Sequence, residues 1–115
     1  QLVYLAKAIA QETDILLLDE PTSDLDIYYQ VIVTDIIRSL IGEGKTIIAA
    51  IHDINLATRI CEQCILLKNG RFVAYNAPSN VINNENIEET FQVKSIFYKE
   101  PLTEKKQLIP YDVLT

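Results

Sequence analysis

Glycine is scarce in this chain: three residues in 115, at positions 42, 44 and 70. That scarcity excludes a phosphate-cradling loop. Such a loop needs a glycine five positions before a Gly-Lys-Ser/Thr triplet and a helix after it, because the helix N-terminal amides hold the phosphate. Gly44-Lys45-Thr46 matches only the end of that pattern. Ser39 stands where the first glycine belongs, and the triplet leads into Ile47-Ile48-Ala49-Ala50-Ile51, an apolar strand. The triplet therefore reads as a helix stop, and no other position could build the loop.

Metal-ligating residues are equally sparse. Histidine occurs once, at position 52, and cysteine twice, as Cys61-x-x-Cys64. A structural zinc site takes four ligands of this kind, so the pair is read as small apolar side chains where a helix meets a strand, with a thioredoxin-like redox pair as the alternative. Two thiols without a disulfide framework fit a reducing cytoplasm. Positive charge is also lacking. Ten Lys and Arg against sixteen Asp and Glu leave a net charge of −6, which argues against a nucleic-acid partner, since a duplex is gripped through a basic surface. No apolar run approaches the roughly 20 residues of a membrane span. Residues 1–18 lack the charged start and small-residue cleavage site of a signal peptide. The chain opens on Gln1 rather than Met, so Gln1 is not read as a natural start.

What is present is an alternation. Leu2, Leu5, Ala6 and Ile9 are spaced for a helix, which Thr13 and Asp14 end. Ile15–Leu18 is apolar on both faces, as in a central parallel strand. After Pro21, Asp24 or Asp26 can cap a helix that buries Ile27, Val31, Ile32, Ile36, Ile37 and Leu40 and stops at Gly42 and Gly44. Residues 46–51 form a second strand and residues 53–61 a helix. Residues 65–68 and 72–75 flank Asn69-Gly70, a strong hairpin signal. Strand, helix, strand, helix, strand implies a parallel sheet whose first two strands end at one edge, where such folds place ligands. Asp19 and Glu20 close the first strand and His52 follows the second, so they should converge on that rim. The main body is read as residues 1–75. Residues 76–115 form an appendage with short helices, one near 86–91, and one strand around 107–109.

A carboxylate at a strand tip is rigidly aimed. Mg²⁺ prefers oxygen ligands and keeps several waters, so one Asp can hold it. A neighbouring carboxylate can orient or deprotonate a water that attacks phosphorus. An Asp-Glu pair that merely caps a turn, and a histidine that is merely a satisfied surface or core residue, are the competing readings.

Ile15-Leu16-Leu17-Leu18-Asp19-Glu20-Pro21-Thr22, then Ser23-Asp24-Leu25-Asp26, then a strand ending at His52-Asp53, resembles the ATPase subunit of ABC transporters. The resemblance implies a fold that is the C-terminal half of a P-loop NTPase domain, α/β, with parallel strands, flanking helices, a hairpin and a small helical tail. It implies Asp19 at the Walker B position as the Mg²⁺ ligand, and Glu20 as the catalytic carboxylate. Ser23, Asp24 and Asp26 fall in the D-loop at a dimer interface, and His52 is the switch histidine at the ATP γ-phosphate. Residues 1–11 resemble the helix after the signature sequence, with Leu2 where the family usually has a basic residue and Lys7 where Arg is commoner. The signature and the Walker A loop do not occur within these 115 residues, so the isolated chain is expected neither to bind ATP tightly nor to hydrolyse it, and to expose apolar flanks of its sheet.

From Ile51 onward, "IHDINLATRICEQCILLKNGRFVAYNAPSNVINNENIEETFQV" is similar to importers of iron-siderophore complexes, haem and cobalamin. Asn76 stands where glycine is usual, and a left-handed turn is expected there. The partners this implies are a second ATPase subunit in a homodimer, membrane permease subunits and, indirectly, a substrate-binding protein, at the cytoplasmic face of the membrane. Two other readings keep part of the pattern: a non-transport ABC-type ATPase, and a non-catalytic interaction fragment.

Overall fold

The computed structural model describes residues 2–115, which divide into two compact units meeting at His52 and Asp53. In the first, helix α1 (Leu2–Ala10) precedes strand β1 (Ile15–Asp19), helix α2 (Ile27–Gly42) and strand β2 (Thr46–Ala50). The strands pair in parallel, Ile15 opposite Thr46 through Asp19 opposite Ala50. Thr46 N–H to the Asp14 carbonyl, 2.8 Å, opens that register. The long connection through α2 is what a parallel pair requires.

Helix α2 starts and stops on its own chemistry. Asp26 is its N-cap, its carboxylate accepting the Tyr29 amide at 3.1 Å. At the other end, Gly44 N–H bonds the Ile41 carbonyl and Lys45 N–H the Leu40 carbonyl, both at 3.0 Å, while Gly44 takes φ +91°. This is a Schellman stop, which needs a left-handed residue that glycine supplies without strain. Lys45 is spent on the Thr13 carbonyl at 2.9 Å. Gly44-Lys45-Thr46 is thus a helix terminus followed by a strand.

One expectation is corrected here. Strand β1 is parallel, but only one of its faces is covered among the described residues. Leu16 is buried, together with Leu5, Val33, Ile37 and Leu40 of the helices, whereas Ile15, Leu17 and Ile48 lie open on the other face, Leu17 at 74%. The alternation follows from the two-residue period of a strand. Helix α2 departs from expectation in the same way: Ile27 and Val31, read as inside, are exposed, and the face that packs is the one carrying Val33, Ile37 and Leu40.

The second unit contains helix α3 (Ile54–Ile60), hairpin β3 (Cys64–Lys68) and β4 (Arg71–Asn76), helices α4 (Pro78–Val81) and α5 (Asn84–Phe91), and hairpin β5 (Val93–Lys99) and β6 (Lys106–Val113). Its core is Leu66, Val81, Ile82, Ile87 and Leu108, with Val81 and Ile87 wholly sealed. Asn69 and Gly70 turn the first hairpin with positive φ at both positions, as a tight two-residue turn demands. Asp53 caps α3 through the Leu56 amide at 3.1 Å, and Asn83 caps α5 through the Asn86 amide at 2.8 Å. Asn55 clamps β6 to α3 from both sides: its amide donates to the Leu108 carbonyl at 3.1 Å and its oxygen accepts the Leu108 amide at 2.7 Å.

Two readings of the tail change. A small helical tail with one strand becomes a seven- and eight-residue antiparallel hairpin, β5 against β6, alongside the helices. Strand β5 has apolar residues on both faces, Val93 and Phe97 inward and Ile96 and Tyr98 outward, so it lacks the polar alternation that marks a strand. Asn76 is not left-handed: it ends β4 as extended chain, and its side-chain oxygen accepts the Ala77 amide at 2.7 Å. Its value lies in that local bond, not in tolerance of positive φ. No helix among the described residues is long and apolar enough to cross a membrane.

Candidate active site

The parallel register decides the site. Because Asp19 pairs with Ala50, both strands end at one edge, and the residues that follow emerge side by side. The pairing continues one step past β1: the Glu20 amide donates to the Ala50 carbonyl at 2.8 Å. Glu20 itself adopts φ +46°, a left-handed conformation that costs a non-glycine residue on the order of 1 kcal/mol or more. That turn reverses the chain immediately, and the Glu20 carbonyl accepts the Ser23 amide at 3.1 Å. Pro21 is buried beneath it.

The reversal brings the Glu20 carboxylate to His52. His52 Nε2 donates to Glu20 Oε1 in a direct contact between a side chain that is 90% exposed and one that is 34% exposed. Two residues thirty-two positions apart thus meet at the strand tips, as their placement at the ends of successive parallel strands predicts. The carboxylate is the more covered of the two groups, and the ring the more exposed.

Asp19 lies on the open face of β1 with Ile15 and Leu17. The ion pairs among the described residues are Asp35–Arg38, Asp14–Lys45 and Glu20–His52, so the Asp19 carboxylate keeps its charge uncompensated. Asp24 takes φ +62°, which aspartate tolerates better than most residues. Asp26 is occupied as the α2 cap. Ser23 and Asp24 therefore form the loop, and Asp26 anchors its far end. Gln30 closes it from the helix, donating to the Leu25 carbonyl at 3.0 Å.

Four carboxylates follow one another within eight residues from the β1 tip, and one of them, Glu20, meets the imidazole of His52. Such a concentration of negative charge repels a polyphosphate unless a cation lies between them. Among the described residues no three His, Cys, Asp or Glu side chains converge as a ready-made metal cage. Among the described residues the Asp19 and Asp24 carboxylates make no side-chain hydrogen bond or ion pair, whereas Glu20 and Asp26 are engaged. Of the two, Asp19 stands at the strand tip, an oxygen donor that suits a hard cation keeping most of its water. Sequence reasoning missed the Ala50 carbonyl that pins Glu20 and the Gln30 clasp. A backbone carbonyl and a left-handed glutamate leave no compositional trace.

Comparisons with known proteins bear on the family of the chain. No protein-family model matches the chain. An uncharacterised ABC transporter ATP-binding protein of Methanocaldococcus jannaschii is 40% identical over 101 residues, covering 87% of this chain and 35% of its own length. The ferric enterobactin transport ATP-binding protein of Escherichia coli is 35% identical over 111 residues, 96% of this chain and 41% of that protein. The iron(3+)-hydroxamate import ATP-binding protein of Bacillus subtilis is 35% identical over 115 residues, 99% of this chain and 43% of that protein. Among solved structures, a metal-chelate-type ABC transporter in an inward-facing conformation superposes with a TM-score of 0.83 at 27% identity, over 93% of this chain and 43% of that one. The chain therefore spans about two fifths of the length of the relatives it matches. With its strand-tip carboxylates, its parallel register and these relatives, the chain belongs to the family of ABC transporter ATP-binding proteins.

Proposed function

We infer that the chain is the catalytic-carboxylate half of an ATP-hydrolysing domain that drives import of an iron-siderophore complex, haem or cobalamin. The observation that carries this reading is the Glu20–His52 contact at the shared carboxyl edge of β1 and β2. The named relatives that transport ferric enterobactin and iron hydroxamate support the importer assignment.

In this reading Asp19 holds Mg²⁺, whose charge offsets that of the phosphates it meets. Glu20 orients and polarises the attacking water, and its left-handed backbone, pinned by Ala50, fixes the direction of its carboxylate. His52 hydrogen-bonds the terminal phosphate, leaving Glu20 for the water. The contact between them keeps both groups aimed at one point before substrate arrives. Ser23 and Asp24 present a loop to a second ATPase subunit, and Asp26 holds that loop to α2. The two subunits together would act on membrane permeases from the cytoplasmic face.

The acidic rim alone cannot grip a polyanion, so the 115-residue chain should not turn over ATP. The test is ATP hydrolysis by a protein that carries this chain within a whole nucleotide-binding domain. Glu20→Gln should lower kcat by at least about 10²-fold, the usual worth of a general base. His52→Ala should lower it by a comparable factor, as loss of a transition-state donor does. Turnover that is indifferent to Glu20 would refute the assignment, as would Glu20-dependent turnover by the 115-residue chain refute its dependence on further sequence.

A further inference from the structure

The second unit contains a cavity of about 590 Å³ that nucleotide chemistry does not use. Its apolar lining includes Pro78 of α4, Phe97 of β5 and Cys61 at the end of α3. Its charged lining is three lysines, Lys99, Lys105 and Lys106, against one glutamate, Glu104. This size is within the range of small-molecule sites.

The lysines are arranged at a cost. Lys99 and Lys106 are direct partners across the β5–β6 hairpin, and like charges in that relation destabilise a sheet. Lys105 precedes β6 and escapes the strand alternation, so it reaches the same cavity. Lys105 Nζ bonds the Arg59 carbonyl at 2.7 Å and Lys106 Nζ the Ser79 carbonyl at 3.2 Å. Carbonyls orient these groups without neutralising them, and none of the three lysines is in an ion pair among the described residues. Lys106 also stands 5.0 Å above the centre of the Phe97 ring, so cation and aromatic wall are presented together. Three lysines and one glutamate thus line a single apolar hollow, a charge set that suits an anion.

We propose that this cavity binds a small organic anion: an aromatic or aliphatic body against Phe97 and Pro78, with a carboxylate or similar group between Lys99, Lys105 and Lys106. The site is complete within residues 53–115 and does not depend on the ATPase reading. Cys61 remains a neutral thiol there, since burial, and then the nearby Cys64, push its ionisation up. It belongs to the apolar part of the site.

Cys61 also supplies the assay, because it lines the cavity and Cys64 does not. The probe is 4-phenylbutyrate, with 4-phenylbutanol as its neutral counterpart. Ligands of this size reach roughly millimolar affinity in a fitting pocket. At 10 mM probe, alkylation of Cys61 by iodoacetamide should slow about tenfold by mass action, with Cys64 little changed, as read by peptide mass spectrometry. The alcohol should protect far less. Lys105→Gln with Lys106→Gln should remove the protection. Lys99→Gln, which breaks no recorded hydrogen bond, should weaken it without disturbing the fold. Equal protection by the alcohol, equal protection of both cysteines, no protection, or full protection in the Lys99→Gln chain would overturn the proposal.

Discussion

The two units invest differently in burial. Residues 53–115 close a core around Val81 and Ile87, both fully sealed, and carry seven basic and eight acidic residues. The unit ending at His52 leaves Ile15, Leu17 and Ile48 open, and carries three basic and eight acidic residues. Almost the whole negative excess of the chain thus sits in the first unit, and half of that unit's carboxylates (Asp19, Glu20, Asp24 and Asp26) lie at the tip of β1 or just after it. The difference lies in what is sealed and in charge, not in exposure, since Ile65, Leu67, Phe72 and Tyr111 of the second unit are open as Leu17 is. That unit closes a core around Val81 and Ile87 and is nearly neutral, whereas the other presents a charged rim on a sheet covered from one side. A sheet face of this composition carries material for further cover, which accords with relatives more than twice as long.

The largest test of this contrast compares two leucine-sized side chains. Ile87→Ala should lower unfolding free energy by about 2–5 kcal/mol, as core truncations do. Leu17→Ala should change it by less than about 0.5 kcal/mol, as exposed positions do. Urea titrations of the 115-residue chain measure both, and equal losses would erase the contrast. In a longer protein that covers the open face, the Leu17 penalty should rise toward the core value.

A smaller contrast concerns polar anchors. Asn55→Ala removes both bonds to Leu108 and leaves a partly buried amide and carbonyl without partners; a loss of about 1–3 kcal/mol is expected. Asp26→Ala removes only an exposed cap, worth about 1 kcal/mol. Thermal melts of the two variants should fall in that order. The reverse order would mean that the rim unit, not the other, holds the chain together.

The next effect is in pH. Burial raises the ionisation of Cys61 and of Cys64, and Cys64 raises that of Cys61 further. Because the folded thiols hold their protons longer than unfolded ones, stability is unaffected below the ordinary thiol value of 9.0 and declines as pH rises beyond it. Urea midpoints should therefore drop in alkaline buffer and do so less in a Cys61→Ser, Cys64→Ser chain. Cys64→Ser alone should let Cys61 react with alkylating reagents at lower pH. The smallest expected effect is Arg38→Ala, which breaks an exposed pair with Asp35 at 4.0 Å and should cost within about 0.5 kcal/mol by urea titration.

Much of the rim unit is readable in one dimension. Continuous apolar strands, the Asp26 cap, the glycine stop and the Asp19–Glu20 and His52 positions follow from local rules, and the parallel pairing follows from the helix between the strands. The tail is harder. Strand β5 is apolar on both faces, so period-2 alternation does not announce it, and its partner β6 contains Pro110, a residue that argues against strand. The structure accommodates that proline beside a register shift between Lys94 and Ser95.

What the amino-acid order alone determined is which elements form in residues 1–52 and which edge their chemistry occupies, because capping and glycine conformations depend on neighbours a few residues apart and a helix between two strands sets their direction. Only the tertiary structure decided which groups touch. The left-handed turn at Glu20, pinned by a carbonyl thirty residues away, aims one carboxylate at His52 and leaves Asp19 unpaired. Cross-strand register sets Lys99 beside Lys106 over an apolar hollow. Contacts of this kind depend on backbone direction and register between distant segments, which side-chain pattern does not encode.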